Sequence, residues 1–181
     1  HAQTIAPAKL LPVPRVAYRR ERWDTPDGDF IDLDFAQPEP AGPAAPLLAL
    51  FHGLEGSSQS HYALSIARHF ADLGRRVVIV HFRGCSGESN RLHRAYHSGD
   101  SDEADWILRR LHAHWPRAPL HAVGVSLGGN VLAKWLGERG EDARFVRAAA
   151  SIGSPLDLAA GGAALGRGFN RFVYTRVFLA T

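Results

Sequence analysis

The sequence contains no methionine, a single cysteine, Cys85, and only two lysines among its 21 basic residues. One cysteine excludes an internal disulfide and any metal site built from several cysteines. No stretch approaches the ~18 consecutive apolar residues of a membrane-spanning helix, and the longest clean apolar run, residues 47–51, has the length of a strand. Because the chain starts at His1, we expect that it lacks the natural beginning of its protein.

Charge shows no marked pattern either. The 181 residues carry a formal charge of +3, and acidic residues are interspersed among the arginines without long blocks of one sign. A basic stripe with interleaved aromatic residues is missing, so we expect no nucleic-acid partner. With 45% hydrophobic and 22% charged residues, the composition is globular. The first residues lack the charged start and apolar centre of a signal peptide, which favours a cytoplasmic location.

The chain divides into a short leading segment and one domain. Residues 1–17 are punctuated by proline and are expected to lie along the surface, whereas residues 18–181 form the core domain. Within that domain, residues 18–23 and 30–35 are strand-like. A proline and an Asp-Gly pair separate them, and this pattern predicts an antiparallel hairpin.

Continuous apolar runs alternate with helical patterns through the rest of the chain. The runs are residues 47–51, 77–82, 120–125 and 146–152. Apolar residues recur at helical spacing over residues 62–73, before Gly74, and over residues 130–136. Asp100 and Glu103 predict a capping box at the start of another helix. Buried strands alternating with helices predict an α/β fold with a mostly parallel sheet.

The most informative stretch is Gly124-Val125-Ser126-Leu127-Gly128, which follows an apolar strand and precedes a helical pattern. Such a turn forces the serine into a strained backbone and projects its hydroxyl above the sheet as a nucleophile. Gly124 and Gly128 avoid collisions with neighbouring backbone, and the Leu127 N–H can donate to a developing oxyanion. A phosphate-binding loop is the rival interpretation, but the lysine and Ser/Thr that end such a loop are absent.

A second element points to the same chemistry. The strand at residues 47–51 ends in His52-Gly53-Leu54. In the α/β-hydrolase architecture the loop after this strand supplies the second oxyanion donor, here expected to be the N–H of Leu54, with Gly53 allowing close approach. His52 is expected to fix the loop by hydrogen bonding rather than to act as the catalytic base.

Four motifs in series resemble the YheT-like branch of the α/β-hydrolases. They are residues 51–57 (Phe-His-Gly-Leu-Glu-Gly-Ser), 81–87 (His-Phe-Arg-Gly-Cys-Ser-Gly), 96–99 (Tyr-His-Ser-Gly) and 124–130 (Gly-Val-Ser-Leu-Gly-Gly-Asn). The resemblance implies a serine hydrolase of carboxylic esters, acting on lipid or short-chain acyl substrates without a cofactor. It also implies that membrane contact is compatible with function but not required.

The order of catalytic residues breaks the family pattern. Enzymes of this fold place their triad in the order serine, acid, histidine, yet all ten histidines here precede Ser126. We therefore expect the acid and the base to lie beyond residue 181, and the sheet to be incomplete at its C-terminal side with an unpaired edge. Asp157 could serve as an acid in a variant layout, but a helix N-cap after Ser154-Pro155 is the preferred interpretation.

The remaining reactive side chains carry less weight. His93 and His97 are spaced as metal ligands on a helix, but the surrounding residues are loop-like, so no metal is expected. Cys85 is expected to be a small buried filler. Two functional alternatives stay open beside ester hydrolysis: an acyltransferase on the same scaffold, and a non-catalytic binding module that kept the pocket.

Overall fold

The computed structural model describes residues 12–172 and places them in one sheet flanked by helices. The strands are β1 Ala17–Asp24, β2 Phe30–Gln37, β3 Leu47–Phe51, β4 Arg76–Val80, β5 Leu120–Val125 and β6 Val146–Ile152. The helices are α1 His61–Asp72, α2 Ser101–His114, α3 Leu127–Arg139, α4 Leu158–Leu165 and the short α5 Gly168–Asn170, with a 3-10 turn at Gly140–Ala143. The strand order is β1-β2-β4-β3-β5-β6.

The predicted antiparallel hairpin is confirmed. Strands β1 and β2 pair antiparallel, with Trp23 opposite Ile31, and their turn is closed by hydrogen bonds from Thr25 N to Asp29 O and from Gly28 N to Thr25 O, each 3.0 Å. Gly28 has φ +85°, a left-handed conformation that glycine adopts without steric cost. Strand β2 joins β4 antiparallel, whereas β4, β3, β5 and β6 are parallel to one another. The mixed, mostly parallel α/β sheet is therefore as expected.

Helices cover both faces of the sheet. Helix α1 packs its buried Ala63 and Ala67 against one face, and α2 and α3 cover the other. Trp135 of α3 is fully buried there. Strands β3 and β4 lie at the centre and consist of buried residues only, as their continuous apolar runs predicted. Burying one Leu, Ile or Phe side chain contributes about 1.5–3 kcal/mol, so these two strands anchor the fold.

The predicted capping box at the start of α2 is wrong. The helix does begin next to Asp100, at Ser101, but the Asp100 side chain does not cap it. That carboxylate instead accepts the His97 N–H at 2.8 Å and binds Arg94 at 2.9 Å, while Glu103 binds the buried Arg83. The guanidinium groups of Arg94 and Arg83 compete better for these carboxylates than the N–H groups in the first turn of the helix do.

Strand β6 is the last strand of the sheet over residues 12–172, and it pairs with β5 alone. Only Val146 at its start is buried, and the following residues through Ile152 are exposed. Within the described residues β6 is therefore an edge strand with one unpaired side, as expected. Among residues 12–172, no helix combines the length and the apolar character that crossing a membrane requires. The first eleven residues of the predicted surface segment lie outside the described residues.

Candidate active site

Ser126 occupies a sharp turn between a strand and a helix. It directly follows β5, directly precedes α3, and has φ 51° and ψ −114°. This backbone conformation is rare for a residue with a side chain and costs on the order of 1–3 kcal/mol. Hydrogen bonds hold it: Ser126 N donates to Ile152 O at 2.8 Å, and Ser126 O accepts from Asn130 N at 3.1 Å. The neighbouring parallel strand β6 thus helps to hold Ser126 in its strained conformation.

The glycines that flank Ser126 let backbone segments touch. A Cβ on Gly124 would lie 2.3 Å from the Gly128 carbonyl oxygen, and a Cβ on Gly128 would lie 2.3 Å from the Phe51 carbonyl oxygen. Real Cβ atoms do not approach so closely, so no larger residue fits either position without movement. The first turn of α3 is thereby seated directly on the ends of β5 and β3.

The loop after β3 reaches the serine. A Cβ on Gly53 would lie 3.3 Å from the Cβ of Ser126, so the structure brings together the two elements that the sequence predicted to meet. The loop closes as a tight turn in which Gly56 N donates to Gly53 O at 2.9 Å. Within this turn Glu55 has φ 52°, a left-handed conformation that costs a non-glycine residue roughly 1–2 kcal/mol.

Two backbone N–H groups are available near Ser126. The first hydrogen bond within α3 is donated by Asn130, so the N–H of Leu127 precedes the helical ladder. The N–H of Leu54 makes no hydrogen bond within residues 12–172, whereas its neighbours in the loop do. A helix N-terminus also carries a partial positive charge, which favours a negative oxygen at this place.

His52 is held by the backbone at both ring nitrogens. Nε2 accepts the Phe82 N–H at 3.1 Å, so in the neutral ring Nδ1 carries the proton and donates to Gly53 O at 2.8 Å. Burial lowers the pKa of His52 to about 4, and the ring is therefore uncharged at neutral pH. With no nitrogen left over, His52 links the loop after β3 to the loop after β4.

A buried carboxylate on β2 anchors the loop after β3. Asp34 of β2 accepts hydrogen bonds from Ser58 Oγ at 2.6 Å and from His81 Nε2 at 2.9 Å, and it binds Arg20 at 2.7 Å. Burial alone would raise the pKa of Asp34, but the hydrogen bonds from Arg20, His81 and Ser58 outweigh burial and hold it below its ordinary value. Sequence reasoning missed this residue, although a polar residue in an otherwise apolar strand is a signal for a buried ion pair.

The loop after β4 is anchored by a second buried charge. The guanidinium of Arg83 binds Glu103 at 2.6 Å, Asp29 at 3.0 Å and Asp27 at 2.9 Å, and its side chain is only 2% exposed. It therefore joins the hairpin turn to α2. Sequence reasoning did not identify it, because its three acidic partners come from two segments far from it in the chain.

The other predicted site residues have structural contacts. Asp157 caps α4, with Oδ1 accepting the Ala160 N–H at 2.9 Å, as its N-cap interpretation expected. His97 accepts the Gly99 N–H at 3.0 Å and binds Asp100 within its own loop. Burial raises the pKa of the Cys85 thiol to about 11. Across residues 12–172, no three His, Cys, Asp or Glu side chains are grouped to hold a metal ion.

A cavity borders the loop after β3 at Glu55. It has a volume of about 350 Å³, and its lining includes Glu55, Cys85, Leu92, Ala95 and Tyr96. Its size falls in the range of roughly 300–1,000 Å³ that is usual for small-molecule pockets. Both apolar and charged groups line it, and Ser126 is not among the lining residues.

Comparison with known proteins identifies the family of this fold. A family model described as the alpha/beta hydrolase fold matches residues 46–176. The chain belongs to the α/β-hydrolase family. The protein YheT of Escherichia coli (strain K12) is 42% identical to it over 179 residues, which cover 99% of this chain and 52% of that protein. The resemblance to the YheT-like branch is therefore confirmed.

Further α/β-hydrolase relatives carry names that describe activities of their own. Phospholipase ABHD3 of Homo sapiens is 31% identical over 152 residues, covering 81% of this chain and 37% of that protein. Medium-chain fatty acid ethyl ester synthase/esterase 2 of Saccharomyces cerevisiae is 38% identical over 117 residues, covering 62% of this chain and 25% of that protein. The chain thus spans about half the length, or less, of these relatives.

Solved structures support the fold alone. The Pyrococcus furiosus esterase Pf2001 superposes with a TM-score of 0.66 at 16% identity, covering 91% of this chain and 67% of that one. The α/β serine hydrolase XC6422 from Xanthomonas campestris has a TM-score of 0.54 at 23% identity, covering 70% of this chain and 59% of that one.

Proposed function

We propose that the protein hydrolyses carboxylic esters through an acyl-enzyme formed on Ser126. The observation that carries the proposal is the strained Ser126 backbone at the β5–α3 junction, with the Gly53 loop packed beside it. A serine in this conformation at this place in an α/β sheet is a nucleophile elbow. A serine with a purely structural role does not require a strained backbone, whereas strained residues of this kind are concentrated at functional sites.

The proposed reaction has two steps. Ser126 Oγ attacks the acyl carbonyl carbon, the ester C–O bond breaks, and the alcohol leaves with the proton that a base removed from the serine. Water then attacks the acyl-serine, which releases the acid and restores the hydroxyl. In both steps the N–H groups of Leu54 and Leu127 stabilise the negative oxygen, and loss of one such donor typically costs about 10²–10³ in kcat.

We propose that the base and the acid of the triad come from outside residues 1–181. No histidine follows Ser126, and both ring nitrogens of His52, which lies in the loop next to it, are occupied by backbone groups. Asp157, the only acid after Ser126 that sequence reasoning considered for the triad, already caps a helix. A missing base lowers the rate by about 10²–10⁴-fold, because the serine hydroxyl is then a weak nucleophile.

The test uses an aryl butyrate and a fluorophosphonate probe. The longest natural reading frame that contains this chain should hydrolyse the ester and label at Ser126, and the Ser126→Ala variant should do neither. The 181-residue chain, checked for folding by circular dichroism, should be nearly inert. Rapid labelling of the folded 181-residue chain would show that the base lies within it, and failure of the longer protein to label would favour a non-catalytic binding module.

We further propose that the natural substrates are esters with short-chain or lipid acyl groups. The relative from Homo sapiens is named a phospholipase, and the cavity beside Glu55 offers both apolar and charged lining. Hydrolysis rates for a series of esters of increasing acyl length, each normalised to titrated Ser126, would define the preferred class.

Acyl transfer to an alcohol is the second candidate. The relative from Saccharomyces cerevisiae is named both a synthase and an esterase of fatty acid ethyl esters, and both reactions pass through the same acyl-serine. Product analysis with ethanol present separates the two: formation of an ethyl ester in excess of free acid favours transfer, and free acid alone favours hydrolysis.

A further inference from the structure

The N–H groups on either side of Leu54 are both held by tyrosine hydroxyls. Gly53 N donates to Tyr62 Oη at 2.8 Å, and Glu55 N donates to Tyr96 Oη at 2.8 Å. Between them, the Leu54 N–H has no acceptor within the described residues. Of three successive N–H groups in the loop, the first and the third are thus hydrogen-bonded to tyrosines, and the middle one, on Leu54, is available.

The two tyrosines come from separate parts of the fold. Tyr62 is on α1, and its hydroxyl fills the inside of the turn, where a Cβ on Gly56 would lie 2.7 Å from it. Tyr96 lies in the loop between β4 and α2 and stacks on Phe82, with ring centroids 5.2 Å apart and an interplanar angle of 5°. Because the two tyrosines belong to different elements, the turn is hydrogen-bonded both to α1 and to the loop between β4 and α2.

Tyr96 makes a second hydrogen bond to the same residue. Its hydroxyl donates to Glu55 Oε1 at 2.7 Å while accepting the Glu55 N–H. Burial raises the pKa of Tyr96 above its ordinary value, so the hydroxyl keeps the proton that this bond requires. The two bonds hold Glu55 at φ 52°, a conformation that the residue would not otherwise prefer.

We propose that Tyr62 and Tyr96 are positioning residues that orient the Leu54 N–H toward the oxyanion on Ser126. The inference rests on the proposed function and deepens it. Occupying the Gly53 and Glu55 N–H groups prevents the loop from rotating either of them into the site, and it prevents the turn from flipping the Leu54 peptide. The hydroxyls do not touch Ser126: Tyr62 Oη bonds to the loop backbone, and Tyr96 Oη bonds to Glu55 and to the Cys85 thiol.

The test compares Tyr62→Phe and Tyr96→Phe in the longest natural reading frame that contains this chain. Tyr18→Phe is the matched control, because Tyr18 Oη also donates to the same loop, to Ser58 O at 3.2 Å, but away from Leu54. Rates with an aryl butyrate are normalised to sites titrated with fluorophosphonate. Affinity for an aryl boronic acid, which forms a tetrahedral adduct with the serine, reports on the oxyanion site.

We expect each of the two variants to lower kcat by about tenfold, less than full loss of an oxyanion donor, with KM within about twofold. Affinity for the boronic acid should fall in parallel, and Tyr18→Phe should keep both values. A purely structural role would lower the thermal midpoint and the number of titrated sites, but would leave kcat per site unchanged. That result, or wild-type boronic acid affinity in both variants, would overturn the proposal.

The control for the underlying function is separate. If Ser126→Ala keeps the hydrolytic activity, the proposed function fails, and the positioning role fails with it. If Ser126→Ala is inactive while Tyr62→Phe and Tyr96→Phe match Tyr18→Phe, the positioning role alone is refuted.

Discussion

Replacing Gly128 with alanine should damage both folding and catalysis, whereas the same change nine residues later in α3 should do neither. The Cβ of an alanine at Gly128 would lie 2.3 Å from Phe51 O and 2.5 Å from His52 O. Both neighbours are backbone atoms at the end of the central strand β3, so no side-chain rotation relieves the contact. The start of α3 must therefore shift by at least about 0.7 Å to reach the 3.0 Å below which real Cβ contacts are not found.

Two magnitudes follow from that shift. Overpacking of this kind costs about 1–3 kcal/mol, which outweighs the roughly 1 kcal/mol that alanine gains over glycine in a helix. The shift also moves Ser126, because its carbonyl holds Asn130 in the first turn of the helix. A misplacement of about 1 Å at reacting groups can lower kcat by about 10²-fold.

Gly137→Ala is the matched control in the same helix. A Cβ at Gly137 meets no atom within 4 Å, and the residue has no left-handed φ. It should raise the unfolding free energy by about 0.5–1 kcal/mol and leave kcat unchanged. Urea unfolding followed by circular dichroism, together with aryl ester hydrolysis per titrated site, measures both quantities. Equal stability and equal kcat in the two variants would refute the close-contact reasoning.

Three further predictions concern buried charge and the thiol. Arg83→Met should destabilise the fold by about 3–5 kcal/mol, because it leaves the buried carboxylates of Glu103 and Asp29 without the cation that they bind. Arg68→Ala, at an exposed pair, should cost under about 1 kcal/mol, and similar urea midpoints for the two variants would contradict this. The folded pKa of Asp34 lies below its unfolded value near 3.9. The stability that this carboxylate contributes is therefore complete above that pH and is lost as the pH falls toward the folded pKa. Asp34→Asn should make the free energy of unfolding less sensitive to acid in that window, and an unchanged pH profile of unfolding would exclude the effect. Cys85, with a pKa of about 11, should react with iodoacetamide far more slowly at pH 8 than a free thiol, and alkylation at the rate of glutathione would show that it is not shielded.

The turn at Ser126 and the loop after β3 that lies beside it could be predicted because each is encoded locally. The spacing of Gly124, Ser126 and Gly128 between a strand and a helix is readable from a few residues, since the close contacts they permit involve backbone that always lies there in this fold. The hairpin was predictable for a similar reason, because its turn residues dictate its backbone. That Gly53 and Ser126 would meet followed from parallel strands ending at one edge.

The buried ion pairs could not be predicted in the same way, because their partners are chosen by tertiary structure. Asp100 and Glu103 have the spacing of a capping box, and this local rule failed because Arg94 and Arg83 lie close enough to bind the two carboxylates more strongly. Likewise, Asp34 is one of several acids in the sequence, and only the positions of Arg20 and other donors make it a buried anchor.

The contrast between these two classes of residue also explains how the candidate site is built. The nucleophile elbow is short and local, but the loop that faces it is held by groups from distant segments: Tyr62 from α1, Tyr96 and His52 through the loop after β4, and Asp34 from β2. Tyr62 and Tyr96 bind the backbone of this loop. His52 accepts the Phe82 N–H, and Asp34 binds the Ser58 hydroxyl, so none of these contacts involves a reacting atom. A short motif therefore predicts an oxyanion site, whereas the orientation of its N–H groups depends on the fold around it, and we expect substitutions at Tyr62 and Tyr96 to alter kcat through the loop after β3.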